Sequence, residues 1–199
     1  MMSDSNDSRP QSPEPTASER RIKAVTIGAP QRIDGPIELL PYDDAWPGQY
    51  AAEAERVRRV LVAKVLRLEH VGSTSVPGLS AKPIIDMLLV VADSSAEPEY
   101  VPPMEQAGYV LRVREPDWYE HRLFKGPGAN INLHVFSRDC VEIERMLRFR
   151  DHLRSDDSDR SLYAKTKQEL GARRWNYVQE YADAKSAVVE EIVARAMAW

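Results

Sequence analysis

Apolar side chains recur along this chain with two different periods, and the alternation between them divides it into strands and helices in mixed order. From Trp46 to about Lys64, Trp46, Tyr50, Ala54, Val57 and Leu61 form one helical stripe. Glu53, Arg56 and Arg59 lie off it, and Pro47 suits the first turn. A short strand is predicted before it, at Ile37 to Leu40, and an extended segment after it, from Val65 to Val71. The run PIIDMLLVV beginning at Pro83 is apolar on both faces, which predicts a central strand covered on both sides. Tyr100 to Gly108 reads as a short helix between prolines and a glycine. Three extended segments follow, Tyr109 to Arg114, Trp118 to Lys125 and Asn130 to Ser137, the last two joined by a GPGA turn that suits an antiparallel pair. Alternation then places Asn132, His134 and Phe136 on one strand face. From Asp139, taken as a cap with Glu142 three residues on, the pattern is helical to Trp199, with breaks around Ser155 to Ser158 and near Gly171.

Residues 1–35 are different. They are rich in Ser, Asp, Pro and Gln and carry no sustained apolar period, so burial cannot offset their ordering entropy, and a flexible tail is expected. The domain division is therefore a tail at 1–35 and a single folded unit at 36–199.

Composition narrows the class further. With 43% hydrophobic and 29% charged residues the chain is an ordinary globular protein. No stretch reaches the apolar length of a bilayer span and the amino terminus lacks a signal pattern, so no membrane partner is expected. Cys140 is the single cysteine, which excludes a disulfide framework and fits a cytoplasmic location. A net charge of −4 gives no global reason to hold nucleic acid, which is not expected as a partner.

The candidate chemistry lies between His70 and Asp86. A carboxylate inside a buried strand is costly unless a cation, a metal or dense hydrogen bonding compensates it, so Asp86 should have a partner. Lys82 stands four positions earlier. Gly72 and Ser73, with absent or small side chains, would let backbone amides approach an anion, and phosphate is the natural ligand.

A strand, a Gly-Ser turn, a short connection and an Asp on the next strand is the layout of the nucleotidyltransferase superfamily. More closely, the chain resembles the GrpB family, a bacterial group placed within that superfamily and sometimes found fused to dephospho-coenzyme A kinase. The resemblance rests on EHVGSTSVPGLSAKPIIDM at 69–87, HRLF at 121–124, NLHVF at 132–136 and RFRDHLR at 148–154, and runs from Ile37 to the last helix. It implies an α/β (α+β) fold, a nucleotidyltransferase-like mixed β-sheet flanked by helices, with a helical C-terminal extension. It also implies a phosphorylated, nucleotide-type ligand gripped by Gly72, Ser73, Thr74, Ser75 and Lys82. Arg122, Arg150 and Lys167, in or near the later motifs, are added as basic residues suited to phosphate.

The pattern departs from an active transferase where metal would bind. The superfamily's second carboxylate falls at position 88, here Leu88, and its third falls in NINLHVF, which offers Asn132 and His134 instead. One Asp makes a weak Mg²⁺ site. An Asp and His pair, Asp86 with His134 and with Glu69 or His70 to complete it, suits a softer divalent ion such as Zn²⁺, Mn²⁺ or Fe²⁺ better. Two readings of these residues stand. In one, Asp86, Lys82 and His134 carry metal-dependent transfer of a nucleotidyl or phosphorylated group. In the other, Asp86 is a buried anchor held by Lys82, His134 is a satisfied neighbour, and the protein is a catalytically inactive module that binds a nucleotide, a coenzyme or a partner protein. The aromatic residues Trp46, Tyr50, Tyr177 and Tyr181 are expected in the core, and His152 at the surface.

Overall fold

The computed structural model describes residues 14–128 and 130–198. In chain order the elements are α1 (Ala17–Val25), β1 (Arg32–Gly35), α2 (Trp46–Leu61), β2 (Arg67–Val71), β3 (Ile85–Val91), α3 (Val101–Gln106), β4 (Val110–Glu115), β5 (His121–Lys125) and β6 (Ile131–Ser137). The carboxyl-terminal part adds α4 (Val141–Ser155), α5 (Asp157–Gly171), β7 (Trp175–Tyr177), α6 (Val178–Ala184) and α7 (Ser186–Met197). Among the described residues no helix is long and apolar enough to cross a membrane.

The central sheet has five strands in the order β2-β3-β6-β5-β4. β3 is its best buried strand because Ile85, Met87, Leu88, Leu89, Val90 and Val91 leave no polar side chain to face water except that of Asp86. It pairs antiparallel with β2 and parallel with β6, so Asp86 lies opposite Asn132 and Leu88 opposite His134. β5 then pairs antiparallel with β6, setting Leu123 against His134 and Lys125 against Asn132.

Each sheet face has its own core. Met87, Leu89, Leu133, Val135 and Phe124 pack with Trp46, Ala54, Val57 and Leu61 of α2 and Met104 of α3. On the other face Val71, Leu88, Val90 and Phe136 meet Ile143 and Leu147 of α4. Beyond them Val76 and Leu79 of the β2–β3 connection pack with Leu153, Tyr163 and Ile192 from α4, α5 and α7. Asp86 belongs to this second face, with 28% of its side chain exposed.

Several sequence expectations need correcting. The tail reading fails for its described part. Thr16 and Glu19 form a reciprocal capping box at the start of α1, and Ile22 is buried. β1 pairs with β7, a strand not foreseen within the helical carboxyl-terminal third. Residues 1–13 lie outside the described residues, as does Ala129 of the expected GPGA turn. Ile37 to Leu40 is no strand: Ile37 N donates to Gly171 O, and Leu40 makes one isolated bridge to Ala81. The cap of α4 is Cys140, without a side-chain bond, because Asp139 takes a left-handed φ of 65°. His152 is not a free surface residue, since its Nε2 lies 2.7 Å from Asp159 Oδ2.

Candidate functional site

On the α4 side of the sheet the candidate site is organised around the partly exposed Asp86. Gly72 enters the turn after β2 with φ 70° and ψ −175°, and a Cβ built there would lie 2.5 Å from Asp86 Oδ2. Gly72 is thus required less for an anion's approach than because its own backbone rests against the carboxylate. Asn132 Nδ2 donates to Asp86 Oδ1 at 2.7 Å, and Lys125 Nζ donates to Asn132 Oδ1 at 2.5 Å. His134 Nε2 stands 3.8 Å from Asp86 Oδ1, longer than a hydrogen bond. Burial works to raise the Asp86 carboxyl, but His134, Asn132 and Lys185 outweigh it and hold it below the ordinary carboxylate range.

Three lysines act with this one carboxylate. Lys82, Lys125 and Lys185 are each held below the usual lysine range by burial first, with Lys125 and Lys185 also repelling Lys82 while Asp86 draws all three the other way. Lys167 of α5 is buried. Its Nζ donates to Ser73 Oγ at 3.0 Å and to Ser80 O, and sits over the Tyr163 ring. Burial, then Lys185, pushes it down to about 7. Among the described residues neither Lys82 nor Lys185 has a salt-bridge partner. Three lysines act with this one carboxylate and a fourth, Lys167, lies at the adjoining turn, which leaves an excess of positive charge in a chain that is acidic overall.

The rest of the Gly-Ser turn is committed to itself. Thr74 Oγ1 donates to Ile84 O, leaving its oxygen to accept from His70 Nε2, both at 3.0 Å. Ser75 Oγ donates to Gly72 O at 2.6 Å. His70 points to the α2 face, stacked on Tyr50 at 4.8 Å between ring centroids, and burial pushes it down to about 4. Thr74, Ser75 and His70 shape the turn, and only Ser73 reaches Lys167.

Three expected site residues are placed elsewhere. Glu69 lies opposite Leu88, bonded to Arg150 and Arg67, and does not join Asp86 and His134. Arg150 fastens α4 to β2 through Glu69 and His70 O, each at 3.0 Å. Arg122 alternates onto the α2 face, where it is buried and donates to Glu97 at 2.6 Å. Leu88, at the place of the second carboxylate, is fully buried against α4.

The sequence reading missed Lys185, Lys125 as a site residue, and a pair behind His134. His121 Nε2 is 3.1 Å from His134 Nδ1, and His121 Nδ1 is 2.8 Å from Glu115 Oε2. His121 is buried between Phe136 and His134, and burial pushes it down to about 4 against the pull of Glu115. A second cluster of His152, Asp156 and Asp159 brings three ligand atoms within 4.8 Å. Arg195 already bonds both Asp159 oxygens, at 2.7 and 2.8 Å, so a guanidinium takes the cation's place there. Two open grooves, of about 610 and 660 Å³, are lined by other residues than Asp86, His134 and the lysines.

Comparison with known proteins follows the same outline. A family model described as GrpB protein matches residues 36–195. Over 197 residues the chain is 55% identical to a UPF0157 protein of Halalkalibacterium halodurans, covering 99% of this chain and 98% of that one. The crystal structure of the conserved protein GrpB from Enterococcus faecalis superposes with a TM-score of 0.67 at 31% identity, over 80% of this chain and 96% of that one. A dephospho-CoA kinase of Mycolicibacterium paratuberculosis is 27% identical over 202 residues, which span 88% of this chain and 50% of that protein.

Proposed function

The chain belongs to the GrpB family, and on that premise we propose that it binds a phosphorylated, nucleotide-type ligand in the cleft at Asp86, as a nucleotidyltransferase-like protein of the cytoplasm. The observation that carries this reading is that Lys82, Lys125 and Lys185 all act with one carboxylate, Asp86, while Lys167 reaches Ser73 of the adjoining turn. Lysine suits phosphate as a point charge, and positive potential inside a concave site draws a polyanion. The excess charge asks for a ligand with several negative charges, which a triphosphate or a coenzyme precursor supplies and a neutral metabolite does not.

A divalent ion carried in by the polyphosphate would find two donors in the same site. Asp86 Oδ1 and His134 Nε2 are one oxygen and one nitrogen donor, 3.8 Å apart, a separation a shared ion can span with bonds of about 2.1 Å. When bound, such an ion would neutralise charge developing on a transferring phosphoryl group. Asp86 and His134 would hold it, Asn132 fixes the carboxylate, and the lysines orient the phosphates. Transfer of a nucleotidyl or phosphorylated group is the reaction this arrangement favours.

A specific observation supports the alternative of a binding module without catalysis. Leu88 is fully buried under α4, so the cleft offers no second carboxylate beside Asp86. Thermal-shift and calorimetric titrations with ATP, inorganic tripolyphosphate and AMP, with and without Mn²⁺, test binding. The triphosphates should stabilise the protein, by about 2.7 kcal/mol at a hundred times Kd, and the Lys82→Met/Lys185→Met double variant should lose at least tenfold in affinity. No stabilisation by any of them at millimolar concentration would overturn the ligand assignment. Triphosphate consumption that Asp86→Asn abolishes without loss of folding would decide for transfer, and binding without consumption across candidate acceptors would decide for the module.

A further inference from the structure

A tyrosine stands four residues before a lysine twice in the carboxyl-terminal helices: Tyr163 before Lys167 in α5, and Tyr181 in α6 before Lys185 at its end. Residues four apart are neighbours on a helix face. In both pairs the ammonium lies over the ring, 4.9 Å from the Tyr163 centroid and 4.5 Å from the Tyr181 centroid. Both rings are buried and held by separate packing, Tyr163 against Phe149 and Leu153, Tyr181 against Leu170 and Trp175. A ring face attracts an ammonium group and leaves its charge intact, whereas a carboxylate neutralises it. Arg122 and Arg150 are neutralised by Glu97 and Glu69, and Arg32, which also lies over a ring, has Asp34 as well. Among the described residues the lysines paired with a carboxylate are Lys64 and Lys165, not Lys167 or Lys185.

We infer that Tyr163 and Tyr181 are positioning residues, aromatic seats that hold Lys167 and Lys185 un-neutralised for two linked phosphoryl groups, so that the site selects a diphosphate unit over a single phosphate. The inference rests on the ligand reading above and deepens it by naming the part of the ligand that these helices recognise. Lys167 reaches Ser73 of the Gly-Ser turn, Lys185 acts on Asp86, and the two repel each other. Burial works against both ammonium groups, and the ring faces oppose it. Two like charges brought close from different helices are both satisfied by a ligand with two adjacent anionic groups, one for each lysine. An isolated phosphate offers one anionic group to the two seats.

The test is calorimetric titration of the full chain with inorganic pyrophosphate and with orthophosphate, without nucleotide or added metal ion. The wild type should bind pyrophosphate at least about tenfold more tightly than orthophosphate, each phosphoryl group gaining its own lysine. Tyr181→Leu removes the ring and should lower pyrophosphate affinity by roughly 5- to 30-fold, narrowing that preference. Tyr181→Phe keeps the ring and should stay within about twofold of wild type. The Tyr181 hydroxyl finds no hydrogen-bond partner among the described residues, so nothing else is lost with it. Fluorinated phenylalanines at position 181 weaken the negative ring face with little change of shape, so affinity should fall stepwise with the number of fluorines, a trend that packing does not produce. Tyr163→Leu, in a different part of the core, repeats the first comparison should Tyr181→Leu fail to fold. Equal affinity in the folded leucine and phenylalanine variants, a flat fluorine series, or no preference for pyrophosphate would each overturn the inference while leaving phosphate binding by the lysines in place. No binding of either anion by the wild type would overturn it together with the ligand reading.

Discussion

Substituting Gly72 by alanine tests whether the turn and the carboxylate form one unit. At φ 70° and ψ −175° Gly72 occupies a backbone region that is essentially closed to other residues, and holding alanine there costs on the order of 1–3 kcal/mol. A Cβ at this position would also lie 2.5 Å from Oδ2, 2.9 Å from Cβ and 3.1 Å from Cγ of Asp86. Asp86 cannot swing away without giving up the Asn132 bond at 2.7 Å, a charge-assisted contact worth about 1.5–3 kcal/mol. Gly72→Ala should therefore destabilise the fold by roughly 3–5 kcal/mol, a large part of the total stability of an ordinary domain. Urea unfolding followed by circular dichroism should show the midpoint falling by about 1–2 M for a slope near 2–3 kcal/mol/M. The double-mutant cycle carries the sharper information. Asp86→Ala removes Oδ2 and Cγ but leaves the backbone strain, so Gly72→Ala in that background should cost about 1–2 kcal/mol less than in the wild type. A cost below about 0.5 kcal/mol for Gly72→Ala, or an equal cost in both backgrounds, would refute the claim that the glycine is required by contact with Asp86.

Acid should weaken the fold through His70 and His121. Both are buried and pushed down to about 4 from 6.5. The unfolded chain therefore binds more protons between those values, so stability is full above pH 6.5 and falls as pH drops towards 4. At 1.36 kcal/mol per pH decade this is roughly 3 kcal/mol for each histidine. Urea midpoints at pH 7 and pH 4.5 should record the slope, and His70→Phe should flatten it; a flat wild-type profile would count against the burial argument. Arg122→Ala should cost about 3 kcal/mol, because it breaks a buried pair with Glu97, yet leave tripolyphosphate affinity within twofold of wild type; a loss of affinity in the folded variant would place Arg122 back in the site. Leu88→Asp, which writes the second carboxylate into the strand, should destabilise by more than about 4 kcal/mol and raise triphosphate turnover no higher than wild type, since position 88 packs against Ile143 and Leu147. A stable Leu88→Asp protein more active than wild type would show that position 88 reaches the ligand despite its packing against α4.

The period-two rule that put Asn132 and His134 on one face also explains which site residues were legible and which were not. The run around Asp86 marks β3 by itself, and once β6 is its parallel neighbour the approach of His134 to Asp86 follows from alternation. Alternation within β5 assigns His121, Leu123 and Lys125 to the same face and excludes Arg122, but only when the register with β6 is known, and register is a property of the pairing rather than of either strand. Arg122 has the chemistry and the motif position of a site residue, but it lies on the other side of the sheet. Arg150 shows the same limit on a helix: a guanidinium suited to phosphate is equally suited to Glu69 and a backbone carbonyl, and the fold gave it those. The capping box of Thr16 and Glu19 is a local signal, and it sits in a polar segment whose composition, taken whole, argues for disorder.

Lys185 was beyond sequence reasoning for a different reason, and its place bears on how the site is built. It lies where α6 gives way to α7, in a stretch whose pattern reads as helix surface, and it acts on Asp86 only because α7 packs back across α4 and α5. Lys167 likewise comes from α5, and Lys82 and Lys125 come from the β2–β3 connection and from β5. The positive charge of the cleft is thus assembled from four separate parts of the chain, while its single negative charge and its one histidine come from adjacent strands. A site with carboxylates at both alternate positions of β3 would place its metals along the strand, where Leu88 now supports α4. Here the covering helices occupy that ground and contribute ammonium groups at its margin. On the ligand reading proposed above, the carboxyl-terminal helices are part of the site, and loss of their packing should remove ligand affinity even where the sheet and Asp86 stay intact.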